Sequence, residues 1–183
     1  MPEYRRVFLE GGTYFFTVVT FNRLPIFANE TSRSLYRKAL KDISLKYPFI
    51  EIAYCLLPDH IHCIWKLPPD DSNYSLRWRA IKSCFTRWYQ NQIGSGGERN
   101  ESRGKRAEAA IWQRRFWEHT IRDQEDLNNP IDYIHYNPVK HGLVEHIIDW
   151  KPSSFHRFVN NGYYPKDWGE IVKPKFSDKS YGE

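Results

Sequence analysis

Two apolar runs, residues 49–57 and 60–67, are separated only by Pro58-Asp59. A spacer that short ties them into one antiparallel β-hairpin. The second run opens His60-Ile61-His62. Strand side chains alternate faces with a period of two, so the two imidazoles point the same way. Side by side on one rigid strand they make half of a divalent-metal site. The bland alternative is a partly exposed surface pair, or one histidine hydrogen-bonded in the core.

The hairpin sits inside a regular order of elements. Residues 14–20 are aromatic and β-branched and read as a first strand. Asn29-Glu30-Thr31-Ser32 is helix-start chemistry. Leu35, Tyr36, Ala39, Leu40, Ile43 and Tyr47 then recur at helical spacing until Pro48. After the hairpin, residues 75–92 form a second helix, and residues 116–121 a further strand. The order β-α-β-β-α-β predicts an α+β, ferredoxin-like antiparallel sheet with helices packed on it. At 183 residues the chain holds one domain rather than two. Residues 94–110 (GSGGERNESRGKRAEAA) have almost nothing to bury and read as a mobile surface insertion. Residues 171–183 read as a loose C-terminal tail.

About seventy residues beyond the histidines comes Asp132-Tyr133-Ile134-His135-Tyr136-Asn137-Pro138. Asn129-Pro130 ahead of it reads as a helix start, with Asn129 as N-cap and Pro130 in the first turn. Tyr133 and Asn137 are four apart and share a helix face. Tyr133 is the candidate nucleophile, and Asn137 is the candidate third ligand beside His60 and His62. Two nitrogens and an amide oxygen suit Mg²⁺ or Mn²⁺ better than nitrogens alone. His135 and Tyr136 are nearby competitors, and Tyr136 reads as a packing residue.

The formal charge of +5 favours a polyanionic partner without proving one. Its distribution says more. Residues 75–92 carry Arg77, Arg79, Lys82 and Arg87 and no acid, with Trp78, Trp88 and Tyr89 interleaved. Cations with exposed rings suit a single strand, whose phosphates need charge and whose bases stack. The competing reading is an amphipathic helix with its rings in the core, which is the better one for Trp88. Arg5 and Arg6 precede the first strand, Arg114 and Arg115 precede the last, and Lys140 follows the tyrosine. All five are candidate DNA contacts; for Arg5 and Arg6, reading of unpaired bases and plain phosphate contact stand equal. No apolar run approaches the twenty residues of a membrane helix. The three cysteines, Cys55, Cys63 and Cys84, make no disulfide or zinc-finger pattern and fit a reducing cytoplasm.

Several stretches together resemble the REP-associated tyrosine transposases, a branch of the single-tyrosine HUH (IS200-like) transposases. They are Leu56-Leu57-Pro58-Asp59-His60-Ile61-His62-Cys63-Ile64-Trp65, Trp112-Gln113-Arg114-Arg115-Phe116-Trp117-Glu118-His119 and Asp132 through Gly142. Tyr4-Arg5-Arg6, Gly11 through Val18 and Ser153-Ser154-Phe155-His156-Arg157 extend the match. The resemblance implies the HUH endonuclease fold and cleavage of single-stranded DNA through a 5′-phosphotyrosine. It also implies palindromic-repeat hairpins as substrate, a divalent metal, no organic cofactor, and a monomer. The family carries its tyrosine on a longer helix than one starting at Asn129. Its third ligand, one turn past the tyrosine, is often Gln where Asn137 stands here.

Two rival classes remain. One is a non-catalytic DNA hairpin-binding protein, against which the intact His60, His62 and Tyr133 argue. The other is a different histidine enzyme. A histidine-triad hydrolase needs a third alternate histidine where Ile64 stands, and Cys63 points to the opposite strand face from the histidines.

Overall fold

The computed structural model describes residues 7–98, 101–105, 108–170, 174 and 181–182. Four strands, β1 (Thr13–Val19), β2 (Ile50–Leu56), β3 (His60–Lys66) and β4 (Trp117–Ile121), form one antiparallel sheet in the order β2-β3-β1-β4. This is the expected split β-α-β arrangement. Helices α1 (Glu30–Lys46) and α2 (Tyr74–Gln92) cover one face, and α4 (Gln124–Lys140) covers the other. Between α2 and β4 lies a short helix, α3 (Glu101–Lys105), and α5 (Phe155–Asn160) follows α4. Among the described residues no helix is long and apolar enough to cross a membrane.

Alternation along β1 and β3 sorts two cores. Tyr14, Phe16, Val18, Ile61, Cys63 and Trp65 pack against α1 and α2. Phe15 and Ile64 face α4 and meet Ile131, Tyr133 and Ile134. His60 and His62, out of phase with Ile61 and Cys63, therefore lie on the α4 side. Local signals place α1 well: Asn29 Oδ1 accepts from the Thr31 amide at 2.7 Å, and the helix stops at Lys46 before Pro48.

α4 corrects the expected start at Asn129. Its N-cap is Asp123, whose Oδ1 accepts from the Asp126 amide at 2.8 Å, and the helix runs through both Pro130 and Pro138. An interior proline removes one backbone bond and clashes with the preceding turn, costing roughly 3 kcal/mol. Burial of Ile131, Tyr133 and Ile134 against the sheet offsets this, at about 1.5–3 kcal/mol for each large apolar side chain. Asp126, also buried, is gripped by His119 Nε2 of β4 at 2.9 Å, which anchors the first turn. The far end closes on Gly142 (φ 64°), with the Leu143 amide donating to the Pro138 carbonyl at 2.9 Å.

The glycine-rich stretch 94–110 does bury groups. Arg103 of α3 is 6% exposed, donates to the Ala109 and Trp112 carbonyls at 2.7 and 2.8 Å, and stacks on Phe21. Ala110 and Ile111 are fully buried.

The free edge of β2 is closed by the Ser153-Ser154-Phe155 turn. The Ser154 amide donates to the Tyr54 carbonyl at 2.9 Å, and the Leu56 amide donates to Pro152. Ser154 Oγ also meets His135 Nε2 at 2.8 Å, so one side chain joins sheet edge and α4.

Candidate active site and nucleic-acid surface

The β1–β3 register sets Thr17 opposite His62 and Val19 opposite His60. The imidazole rings of His60 and His62 stand 4.7 Å apart, centroid to centroid. Each has its Nδ1 engaged: His60 with Asp59 Oδ1 at 2.6 Å, His62 with Thr17 Oγ1 at 2.9 Å. Thr17 spends its only proton on the Tyr181 carbonyl, so its oxygen accepts from His62 Nδ1–H. Asp59 opposes ionisation through burial. Its bonds to His60 and Arg23 outweigh that and hold its carboxyl at about 2. An ionised Asp59 accepts, so His60 Nδ1 donates as well. In both rings the lone pair is thereby left on Nε2, the tautomer that binds a metal, and an oxygen behind each ring is the usual support of a metal-binding histidine.

The His62 ring lies 5.3 Å from that of Tyr133, edge to face. Lys140 Nζ donates to the Tyr133 hydroxyl at 3.0 Å. A cation bonded to a phenolic oxygen stabilises negative charge on it. Asn137, fully buried, lies one turn beyond Tyr133 on the same helix face. Among the described residues no three His, Cys, Asp or Glu side chains form a metal cluster. Imidazole nitrogens and an amide oxygen, the donors carried by His60, His62 and Asn137, are of the kinds a divalent cation takes. His141, just past α4, brings a third ring within 5.3 Å of His60. Tyr136 faces away, into a separate cluster with Ile147 and Phe155.

Tyr181 had no signal in the sequence. It is 4% exposed, and its ring lies 4.2 Å from the Tyr133 ring and 5.2 Å from Phe15. Thr17 and Asp59 were also missed as supports, although Asp59 adjoins His60; their roles follow from strand register, which only the assembled sheet supplies.

The expected DNA contacts divide. Arg77 turns inward: it is 1% exposed and bonds the Pro48 carbonyl (2.7 Å), the Asn73 carbonyl (3.1 Å) and Asp71 (2.8 Å). The α2 rings follow it. Trp78 and Tyr89 are buried and Trp88 packs against the core, leaving no ring of α2 presented for stacking. Arg79, Lys82, Arg87 and Arg114 instead line a groove of about 720 Å³ between α2 and residues 108–116, with Trp112 and Phe116 in its wall. Lys82 Nζ donates to the Gln113 carbonyl at 3.1 Å, and Arg114 pairs with Glu108 at 2.7 Å. Arg115 is exposed just before β4. The groove lies on the α1/α2 face of the sheet, away from the histidines and Tyr133. Arg5 and Arg6 lie outside the described residues.

Residues 9–137 match the family described as "Transposase IS200 like". A putative REP-associated tyrosine transposase of Haemophilus influenzae is 48% identical over 92% of this chain and 94% of its own length. The REP-associated tyrosine transposase of Escherichia coli is 43% identical over 100% and 98%. A solved REP-associated tyrosine transposase bound to a REP hairpin superimposes with a TM-score of 0.80 at 41% identity, covering 100% of this chain and 98% of that one. With the HUH-type pair on β3 and a tyrosine on the helix facing it, the chain belongs to the IS200-like transposases, in their REP-associated tyrosine branch, a family of enzymes.

Proposed function

We propose that this protein nicks and rejoins single-stranded DNA beside palindromic-repeat hairpins, using Tyr133 as nucleophile and a divalent cation, Mg²⁺ or Mn²⁺. The observation that carries the reading is the Lys140–Tyr133 contact of 3.0 Å, beside two histidines whose Nδ1 atoms are held by Thr17 and Asp59. Lys140 offsets charge on the attacking oxygen. The new bond joins the Tyr133 oxygen to phosphorus, and the bond from phosphorus to the 3′-oxygen breaks. The proton shed by the phenol is balanced by one taken up by the 3′-oxygen through solvent. The phosphotyrosine preserves one phosphodiester linkage, so a DNA hydroxyl reverses the step without a nucleotide cofactor. His60, His62 and Asn137 would hold the cation, which when bound supplies Lewis-acid stabilisation of the scissile phosphate. His62 and Tyr133 meet within one protomer, their rings 5.3 Å apart, which supports action as a monomer.

The related complex holds a REP hairpin, and this chain carries a basic groove fit for phosphates. Arg79, Lys82, Arg87 and Arg114 are its proposed contacts. Incubating labelled hairpin bearing a single-stranded 5′ extension with protein and Mg²⁺ or Mn²⁺, then running a denaturing gel, tests the reading. The expected result is a covalent adduct, abolished by EDTA and by His60→Ala or His62→Ala. Full-rate adduct formation in EDTA rejects the metal, and hairpin binding with no adduct under any condition leaves a non-catalytic binding protein.

Tyr181 covers a face of the proposed nucleophile. Aromatic pairs of this kind contribute about 0.5–1.5 kcal/mol beyond their buried area. Tyr181→Ala is accordingly expected to raise the initial rate of adduct formation roughly two- to tenfold in the same assay. An unchanged or lower rate would mean that the ring is no barrier to the DNA.

A further inference from the structure

A second cavity, of about 310 Å³, opens between α1 and the β2–β3 hairpin. It shares no lining residue with the basic groove and belongs to the α1/α2 side of the sheet, not to the histidine–tyrosine centre. Its size is at the lower end for small-ligand sites, which run from about 300 to 1,000 Å³. Tyr36, Phe49 and Tyr54 supply flat aromatic walls, and Leu40, Leu56 and Ile61 close it with aliphatic surface. Polar groups break the apolar lining, among them the Glu51 carboxyl and Ser44. Tyr36, 4% exposed, has a buried hydroxyl with no hydrogen-bond partner among the described residues. Arg37 and Lys41, four apart on α1 and both exposed, stand among the lining residues.

The ligand this combination fits is flat, offers N–H donors and carries an anionic group beside the ring. Flat walls select an aromatic ring, a carboxyl selects amino and imino protons, and the paired cations select a phosphate. Burial pushes the Glu51 carboxyl up to about 7, with Arg157 opposing, so near neutrality it accepts and also donates. As acid it matches an adjacent donor and acceptor, which the pairing edges of adenine, cytosine and thymine all offer; as carboxylate it matches the paired N–H groups of guanine.

We infer that the cavity between α1 and β2 binds one unstacked nucleobase, with its phosphate on Arg37 and Lys41. Its source is an unpaired position of the DNA or a free nucleotide; the first rests on the proposed hairpin substrate. Two variants probe it away from Tyr133. Leu40→Trp fills the cavity from α1, and Glu51→Leu keeps much of its volume but removes both hydrogen-bonding oxygens. Hairpins carrying 2-aminopurine at one unpaired position at a time are titrated by fluorescence, alongside free 2-aminopurine deoxynucleoside monophosphate. Thermal melting confirms that each variant is folded.

In the wild type, one strand position or the free nucleotide is expected to lose fluorescence on binding, and either variant should abolish that change. A strand response identifies DNA as the source and should come with an affinity loss of about tenfold in the variant, since stacking one base is worth about 1–3 kcal/mol. A response from the nucleotide alone identifies the free source. The proposal is overturned if nothing responds, or if both variants keep the wild-type response. Adduct formation at Tyr133 with saturating hairpin is unaffected either way, so the cavity can fail while the nicking activity stands. If no hairpin binds at all, the free nucleotide still decides the cavity.

Discussion

Tyr133→Phe is expected to bind hairpin with wild-type affinity and to form no covalent adduct. The substitution removes one oxygen, the proposed nucleophile, and leaves the ring that packs against Phe15, His62 and Tyr181. Its structural cost is the hydrogen bond from Lys140, about 0.5–1.5 kcal/mol, which a folded domain tolerates. Its chemical cost is far larger, because loss of a covalent nucleophile reduces rates by roughly three orders of magnitude or more. Tyr136→Phe is the matched control. Tyr136 packs with Ile147 and Phe155 and should form adduct at the wild-type rate. A denaturing gel reads both. Adduct that survives Tyr133→Phe and vanishes in Tyr136→Phe would assign the chemistry to the other tyrosine.

The second large effect is on stability, at Glu51. This carboxyl ordinarily ionises near 4.5, and burial raises it to about 7 in the folded protein. Between those values the native state holds a proton that the unfolded chain releases. The stabilisation is fully present below 4.5 and is lost as pH rises through about 7. Linkage puts the whole loss at up to about 3 kcal/mol. Glu51→Gln, neutral in both states, has no such slope. Urea unfolding at pH 4.5 and pH 8 should therefore show the variant gaining on wild type by up to that amount at the higher pH. Parallel pH dependence in the two proteins would show that Glu51 ionises freely in the fold.

Much of the fold was readable because its signals are local. The hairpin with its histidine pair needs only a period of two and a two-residue turn. α1 needs only Asn29 to start and Pro48 to stop. The second helix, expected from residue 75, begins at Tyr74, and the last strand, expected from residue 116, begins at Trp117. The spacing of Tyr133 and Asn137 on one helix face was equally local.

What failed was decided at a distance. Pro130 reads as a helix start on propensity alone, yet α4 begins six residues earlier, because sheet packing and the His119–Asp126 clamp outweigh one missing backbone bond. Arg77 reads as a surface cation among others. Only folding brings the Pro48 carbonyl, 29 residues away, to its guanidinium and turns it inward. The sequence by itself determined the strand that carries His60 and His62, the helix face of Tyr133 and Asn137, and the family, since periodicity and motif spacing act between near neighbours along the chain. Only the tertiary structure decided the Thr17 support of His62, the Tyr181 cover and the cavity beside Glu51. Each of these depends on side chains far apart in sequence whose meeting is set by strand register and burial.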